Sequence, residues 1–359
     1  MNLGRERLTE PSPALESVRR ARRRLAGPIG TGILALIAVA VIVLLVAPRV
    51  VAGGSGFFFQ ILVYGIADGA IFALIALGYT LVYGIIELIN FAHGDIFTLG
   101  AFVSIPLLGA FGLAEGGHAG GVQVVLGLLA VFVITMLIIG GVNVTIERVA
   151  YRPLRNAPRL APLITAVGMS FILEGIMYVW RGANNIHYPD LLPGGRVSVA
   201  GVNLFGFKDV FVIITAVVLV GLFTGFINLS RLGKAMRATA QDREAALLMG
   251  IDINRTISAA FFMGAVLAAA GGIIFGLYFN SIRFDLGFEA GLIAFTAAVF
   301  GGIGNIVGAA LGGLIIGLIQ AFSNAYFATQ WSDVIIFGIL ILVLVFRPTG
   351  LLGMRVPEK

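Results

Sequence analysis

Apolar runs of about twenty residues recur along the chain, each closed by a short cluster of polar, basic or glycine residues. They fall at about 26–47, 57–77, 91–113, 121–146, 161–180, 209–229, 257–280, 287–304, 307–328 and 333–347. Each is long enough, or nearly so, to cross a hydrocarbon layer about 30 Å thick at 1.5 Å per helical residue. The pattern predicts an all-α polytopic membrane protein of about ten transmembrane helices. The stretch 57–90 would be about 51 Å long as one straight helix, so it is expected to tilt or break, with Gly78 and Gly84 the expected weak points. Ten spans divide into two fives of opposite orientation, the arrangement in which inverted repeats arise.

Composition strengthens this picture. The chain is 59% hydrophobic and 12% charged, against about 25% charged in ordinary soluble domains. A water-soluble core cannot hide that much apolar surface. The net charge of +6 then reads as a topology signal rather than a nucleic-acid footprint, because lysine and arginine in short loops are retained on the cytoplasmic side. With the N-terminus inside, nineteen of the twenty-four basic residues fall inside, and Arg49, Arg181, Arg196, Lys208 and Arg283 fall outside. Both termini are therefore expected in the cytoplasm and the chain in a plasma membrane, the bacterial inner membrane. With no cysteine, disulfides and thiolate metal sites are excluded.

The domain reading is correspondingly simple. A basic cytoplasmic tail occupies 1–25, a transmembrane domain 26–350 and a cytoplasmic C-terminus 351–359. The arginines at 19–24 abut the first span, where anionic lipid headgroups hold them. Two loops are long enough to have tasks: an external one at about 181–208 and an internal one at about 230–256. From Gly233 to Met249 the internal loop lacks proline and internal glycine and is predicted to be one amphipathic helix, closed by Gly250.

Within that loop, Glu244, Ala245, Ala246 and Gly250, following Arg243, resemble the EAA-x-x-x-G core through which ABC importer permeases engage their ATPases. A longer likeness lies at 74–96, LIALGYTLVYGIIELINFAHGDI, with IERVAYRPLR at 146–155, AFTAAVFGGIGNIVGAALGG at 294–313 and Arg347-Pro348-Thr349-Gly350. These segments resemble branched-chain amino acid ABC importer permeases of the LivH type. The resemblance implies a transport subunit rather than an enzyme, which binds no cofactor itself. It further implies two ATPase subunits that carry ATP and Mg, a second homologous permease or a homodimer, and an external solute-binding protein. Membrane lipid is a further partner, and nucleic acid is not. Arg243, Glu244, Ala245, Ala246 and Gly250 are the implied ATPase-coupling residues.

The residues fit that division of labour. A P-loop would read G-x-x-x-x-G-K-[ST], but the only Gly-Lys pair, Gly233-Lys234, is followed by Ala235 and preceded at the first glycine position by Asn228. Polar groups within apolar spans are functional candidates by default. Asp68, Tyr83, Glu87, Asn90, His93, Asp95 and Glu174, with Gly301 and Gly304, are therefore the expected substrate-pathway candidates. On a continuous helix Glu87, Asn90, Phe91 and Gly94 would share a face; alternatively Asp95 caps a helix at a break. The four-residue glycine spacing at 304–317 suits close helix packing, or a broken helix offering free amides to a carboxylate.

Other classes remain at this point: a urea or short-amide permease of the same family, or a stand-alone channel or proton-coupled carrier. Gly168-Met169-Ser170 superficially suggests an intramembrane serine protease, but Phe171 follows and no histidine lies in a suitable later span.

Overall fold

The computed structural model describes residues 28–113, 121–155, 157–158, 160–199, 202–327 and 329–353, with backbone alone at 28–53, 55, 199 and 202–204. The tail at 1–25 and most of the C-terminus lie outside the described residues. The helices are α1 (Pro28–Ile86), α2 (Ala92–Ala110), α3 (Gly121–Ile146), α4 (Leu160–Arg181), α5 (Phe207–Leu229), α6 (Arg231–Gln241), α7 (Arg243–Leu248), α8 (Ile253–Phe279), α9 (Leu286–Gly301), α10 (Ile306–Tyr326) and α11 (Ser332–Phe346). The protein is a multi-pass membrane protein. Among the described residues eight helices are long and apolar enough to span, the first of them Gly56–Ile86.

The expected ten spans are adjusted at two places. The first forms helical backbone from Pro28 and is joined to the second across a non-helical Gly54. The eighth, expected at 287–304, ends at Gly301 after 16 residues, about 24 Å of helix and short of a full crossing. Gly302 and Gly304 adopt positive φ there, and Asn305 caps α10 by accepting from Gly308 N at 3.0 Å.

The long second span breaks elsewhere than expected. Gly78 and Gly84 stay helical, and α1 ends at Ile86, followed by the non-helical residues 87–90. Gly78 is a contact point instead: a Cβ there would collide with the His93 ring and fall 2.9 Å from the Gly264 carbonyl. Its missing side chain lets helices meet, which is why it does not serve as a hinge.

Close backbone contact organises the interior. Gly65, Gly69 and Ala73 of α1 run along Leu318, Leu314, Gly317 and Gly313 of α10. Gly140 and Asn143 of α3 meet Phe262 and Phe261 of α8 in the same antiparallel sense. The packing pairs occur in matched sets. Contacts α1–α10, α1–α9, α9–α10 and α9–α11 have counterparts in α8–α3, α8–α2, α2–α3 and α2–α4. Exchanging α1–α4 for α8–α11 thus maps these four contacts onto one another, as an internal repeat would. The helices α8, α2 and the second part of α1 form the buried centre.

The 181–208 loop is ordered by short pairings. Strand β1 (Ile186–His187) pairs antiparallel with β4 (Ser281–Ile282), and β2 (Arg196–Val199) forms a hairpin with β3 (Val202–Gly206). Tyr188 is fully buried, its hydroxyl 2.7 Å from Ser104 Oγ.

Candidate functional site

One group of polar residues lies at the end of the bundle that carries Arg155, Arg237 and Arg243. Where α1 ends, its last carbonyls have no intrahelical partner. Arg243 Nη2 donates to the Ile85 carbonyl at 2.7 Å, a cation at a helix C-terminus, where the peptide dipoles favour it. The next residue but one, Glu87, has φ +58 and is exposed. A cavity of about 470 Å3 lies between Glu87, Arg155, Arg243 and Glu244.

The internal loop differs from its expected form. The single helix predicted from Gly233 to Met249 is two, because Asp242 leaves helical geometry (φ −155) and caps α7, accepting from Glu244 N at 2.9 Å and Ala245 N at 3.0 Å. An aspartate competes for free amides in this way more strongly than helix propensity resists it. Ala246 is buried and Ala245 exposed, while Leu247, Leu248 and Met249 are 63%, 88% and 82% exposed. Gly250 follows at φ +81.

Beside the cavity, Glu147 is completely buried. It accepts from Arg152 Nη2 at 3.2 Å, from Ser258 Oγ at 2.6 Å and from Arg155 Nη2. Arg155 also donates to Asn254 Oδ1 at 2.7 Å. Burial lowers the Arg155 pKa and the Glu147 carboxylate opposes that shift, so the guanidinium stays charged. This network ties the end of α3 to α8.

The expected pathway residues separate into groups. Glu87 and Asn90 do not share a helical face with Phe91 and Gly94, because 87–90 is not helical. Asn90 is buried and accepts from the Tyr151 hydroxyl at 2.7 Å. His93 is buried against the Tyr79 ring, centroids 4.7 Å apart. Asp95 does not cap α2; its Oδ2 accepts from Ser170 Oγ of α4, and its Oδ1 faces Gly287, where a Cβ would come within 2.6 Å. The Ser170 hydroxyl is thus held by a carboxylate rather than an imidazole. Glu174, one turn further along α4, is half-buried. Tyr83 is half-buried near the end of α1, its carbonyl accepting from Glu87 N at 2.7 Å. Gly301 packs on the Gly308 backbone, and Gly304 lines a separate hollow of about 320 Å3 with Thr80 and Arg237.

Three partners were not singled out from the sequence: Tyr151, Arg155 and Ser258. Tyr151 and Arg155 stand inside IERVAYRPLR, where alternating basic residues at a span boundary look like anchoring. Ser258 carries no sequence signal, because a serine near a helix start is too common to point at Glu147.

The sequence profile of the family described as "Branched-chain amino acid transport system / permease component" matches residues 61–344. The chain is 45% identical over 309 residues to the high-affinity branched-chain amino acid transport system permease protein BraD of Pseudomonas aeruginosa, covering 84% of this chain and 98% of that protein. It is 42% identical over 307 residues to LivH of Escherichia coli K12, with the same coverage of both chains. A probable LivH of Methanocaldococcus jannaschii is 29% identical over 310 residues, 80% of this chain and 92% of that one. No solved structure matches.

Proposed function

The chain belongs to the branched-chain amino acid transport system / permease component family, a family of transport subunits and not of enzymes, and from that premise we propose that it carries branched-chain amino acids inward as the membrane-spanning subunit of an ATP-driven importer. Its partners in this reading are two ATPase subunits holding ATP and Mg, a second permease or a second copy of this chain, and an external solute-binding protein. In this reading the arginine-rich end faces the cytoplasm, which the distribution of basic residues supports.

The observation that carries the reading is the bond from Arg243 to the Ile85 carbonyl. It joins the segment bearing the exposed Leu247, Leu248 and Met249 to the end of the central helix α1. An ATPase seated on those apolar side chains moves α7 when it closes on ATP, and Arg243 passes the displacement to α1. The α1–α10 and α1–α8 contacts are backbone-close and shift as blocks rather than deform. Substrate passes through a region bounded by the break at 87–90, with Asp95 and Glu174 as polar contacts deeper in.

The test uses the assembled transporter in proteoliposomes with radiolabelled leucine. Arg243→Ala, Glu244→Arg and Gly250→Trp are each expected to abolish most uptake while ATP hydrolysis continues and the chain still inserts. Leucine uptake at the wild-type rate in all three removes the loop from the mechanism. Uptake by this chain alone, without an ATPase, overturns the reading altogether.

A further inference from the structure

At the end of the bundle opposite the arginine-rich loops, α1, α8 and α10 part around a cleft of about 510 Å3. Gln60, Tyr64 and Asp68 follow one another at four-residue spacing on α1 and so lie on one stripe of it. Tyr278 faces them from α8. Through Tyr64 and Tyr278 the cleft continues into a second hollow of about 510 Å3, whose rim carries Arg196 and Lys208.

Several of the polar groups here hold one another. Gln60 Nε2 donates to the Tyr64 hydroxyl at 3.0 Å, and the Tyr278 hydroxyl donates to Asp209 Oδ1 at 2.7 Å. Lys208 is held by Asp190 at 2.8 Å and Asn280 at 2.5 Å. Asp68 is half-buried and makes no hydrogen bond or ion pair with any described residue. The charge it feels is the like charge of Asp209. A carboxylate held at membrane depth beside another acid calls for a cation.

The walls select which cation. A metal ion such as calcium takes six to eight oxygen ligands, and this cleft offers one carboxylate and the carboxamides of Gln60 and Asn324 among aromatic and aliphatic side chains. An ammonium group suits it, since tyrosine faces attract organic cations and apolar walls receive a hydrocarbon. We propose that the cleft binds a ligand with a primary ammonium group and an apolar tail. The ammonium meets Asp68 between Tyr64 and Tyr278, and the tail lies along Ile61 and Phe279. An acidic group on the same ligand turns toward Arg196, which is exposed and without an ion pair among the described residues.

Two sources share this chemistry: a free aliphatic amino acid and the headgroup of an aminophospholipid. The amino-acid source rests on the transport reading; the lipid source does not. The full chain is purified in detergent and titrated with 3-methylbutylamine, L-leucine and N-acetyl-L-leucine. Separately, native mass spectrometry follows retention of phosphatidylethanolamine against phosphatidylglycerol. Asp68→Asn is expected to weaken 3-methylbutylamine binding roughly tenfold or more, the loss of one charge-assisted contact, and Asp68→Glu to restore most of it.

If leucine but not N-acetyl-leucine competes with the amine, the source is the free amino acid. Preferential retention of phosphatidylethanolamine that disappears in Asp68→Asn identifies the lipid. Tyr64→Leu, which keeps the carboxylate and removes a ring, is expected to weaken amine binding severalfold and serves if Asp68→Asn fails to fold. Amine and lipid binding unchanged within twofold in both variants overturns the site. That outcome leaves the coupling test at Arg243 unaffected, so the two readings fail separately.

Discussion

Glu147 and Asp68 are carboxylates at opposite ends of the bundle, one where α3 meets α8 and the other where α1 meets α10 and α8. The first is closed. Two arginines and a serine of the chain itself surround it and leave no exposed surface. The second borders an open cleft and has no partner from the described residues. The same bundle therefore holds a structural ion network at one end and an open cleft with a single unpaired carboxylate at the other. Burial of a charge implies function only when the protein does not itself neutralise it.

The largest effect expected from this comparison is at the closed site. Glu147→Ala removes the acceptor of two guanidinium groups, and breaking a buried pair from one side costs about 3–5 kcal/mol. A large fall in the apparent melting temperature of the purified chain is the expected result. A melting temperature close to wild type would mean that water, rather than Glu147, solvates the arginines.

Next comes the frame that carries both sites. A Cβ at Gly317 would land on the Gly69 backbone, so Gly317→Val is expected to destabilise the α1–α10 contact by about 1–3 kcal/mol or more. Gly141 has nothing within 4 Å of its would-be Cβ, and Gly141→Ala is expected to stabilise α3 by about 0.5–1 kcal/mol through helix propensity. Equal effects at the two glycines in a thermal-melt series would dissolve the distinction between contact glycines and lipid-facing ones.

Ser170→Ala tests a case between closed and open. It deprives the buried Asp95 of its hydroxyl donor, at a cost of about 1–3 kcal/mol, and is expected to reduce stability by less than Glu147→Ala. Reconstituted uptake measured beside the melt separates a packing defect from a transport defect.

The smallest change belongs to the open site. Asp68→Asn breaks no bond within the chain and is expected to shift stability by no more than about 0.5 kcal/mol. A melt shift as large as that of Glu147→Ala would show that Asp68 has a structural partner after all.

The spans themselves were legible because lipid leaves a helix few alternatives, so length and hydropathy place most of them within a few residues. Their breaks were not. Gly78 looked like a hinge by composition, yet the helix needs it as a contact surface against His93 and Gly264. The actual break at 87–90 follows the polar Glu87, whose positive φ no local rule assigns to a glutamate. In the inner loop, Asp242 was read through as helix, although its side chain caps a second one. Of the candidate site, Arg243 and Glu244 were found by motif. The link of Arg243 to Ile85 was not, because it joins residues 158 positions apart.

What the sequence by itself determined is the solvent, the number of apolar segments to within one or two, the orientation expected from basic residues, and the family. These depend on local composition and on segments of consecutive residues, which the chain displays directly. Only the tertiary structure decided which glycines are contacts, which carboxylates the protein neutralises, and where α1 gives way. Each of those depends on what another helix brings within a few ångströms. That proximity follows from antiparallel packing of distant segments, and no single stretch of sequence contains it.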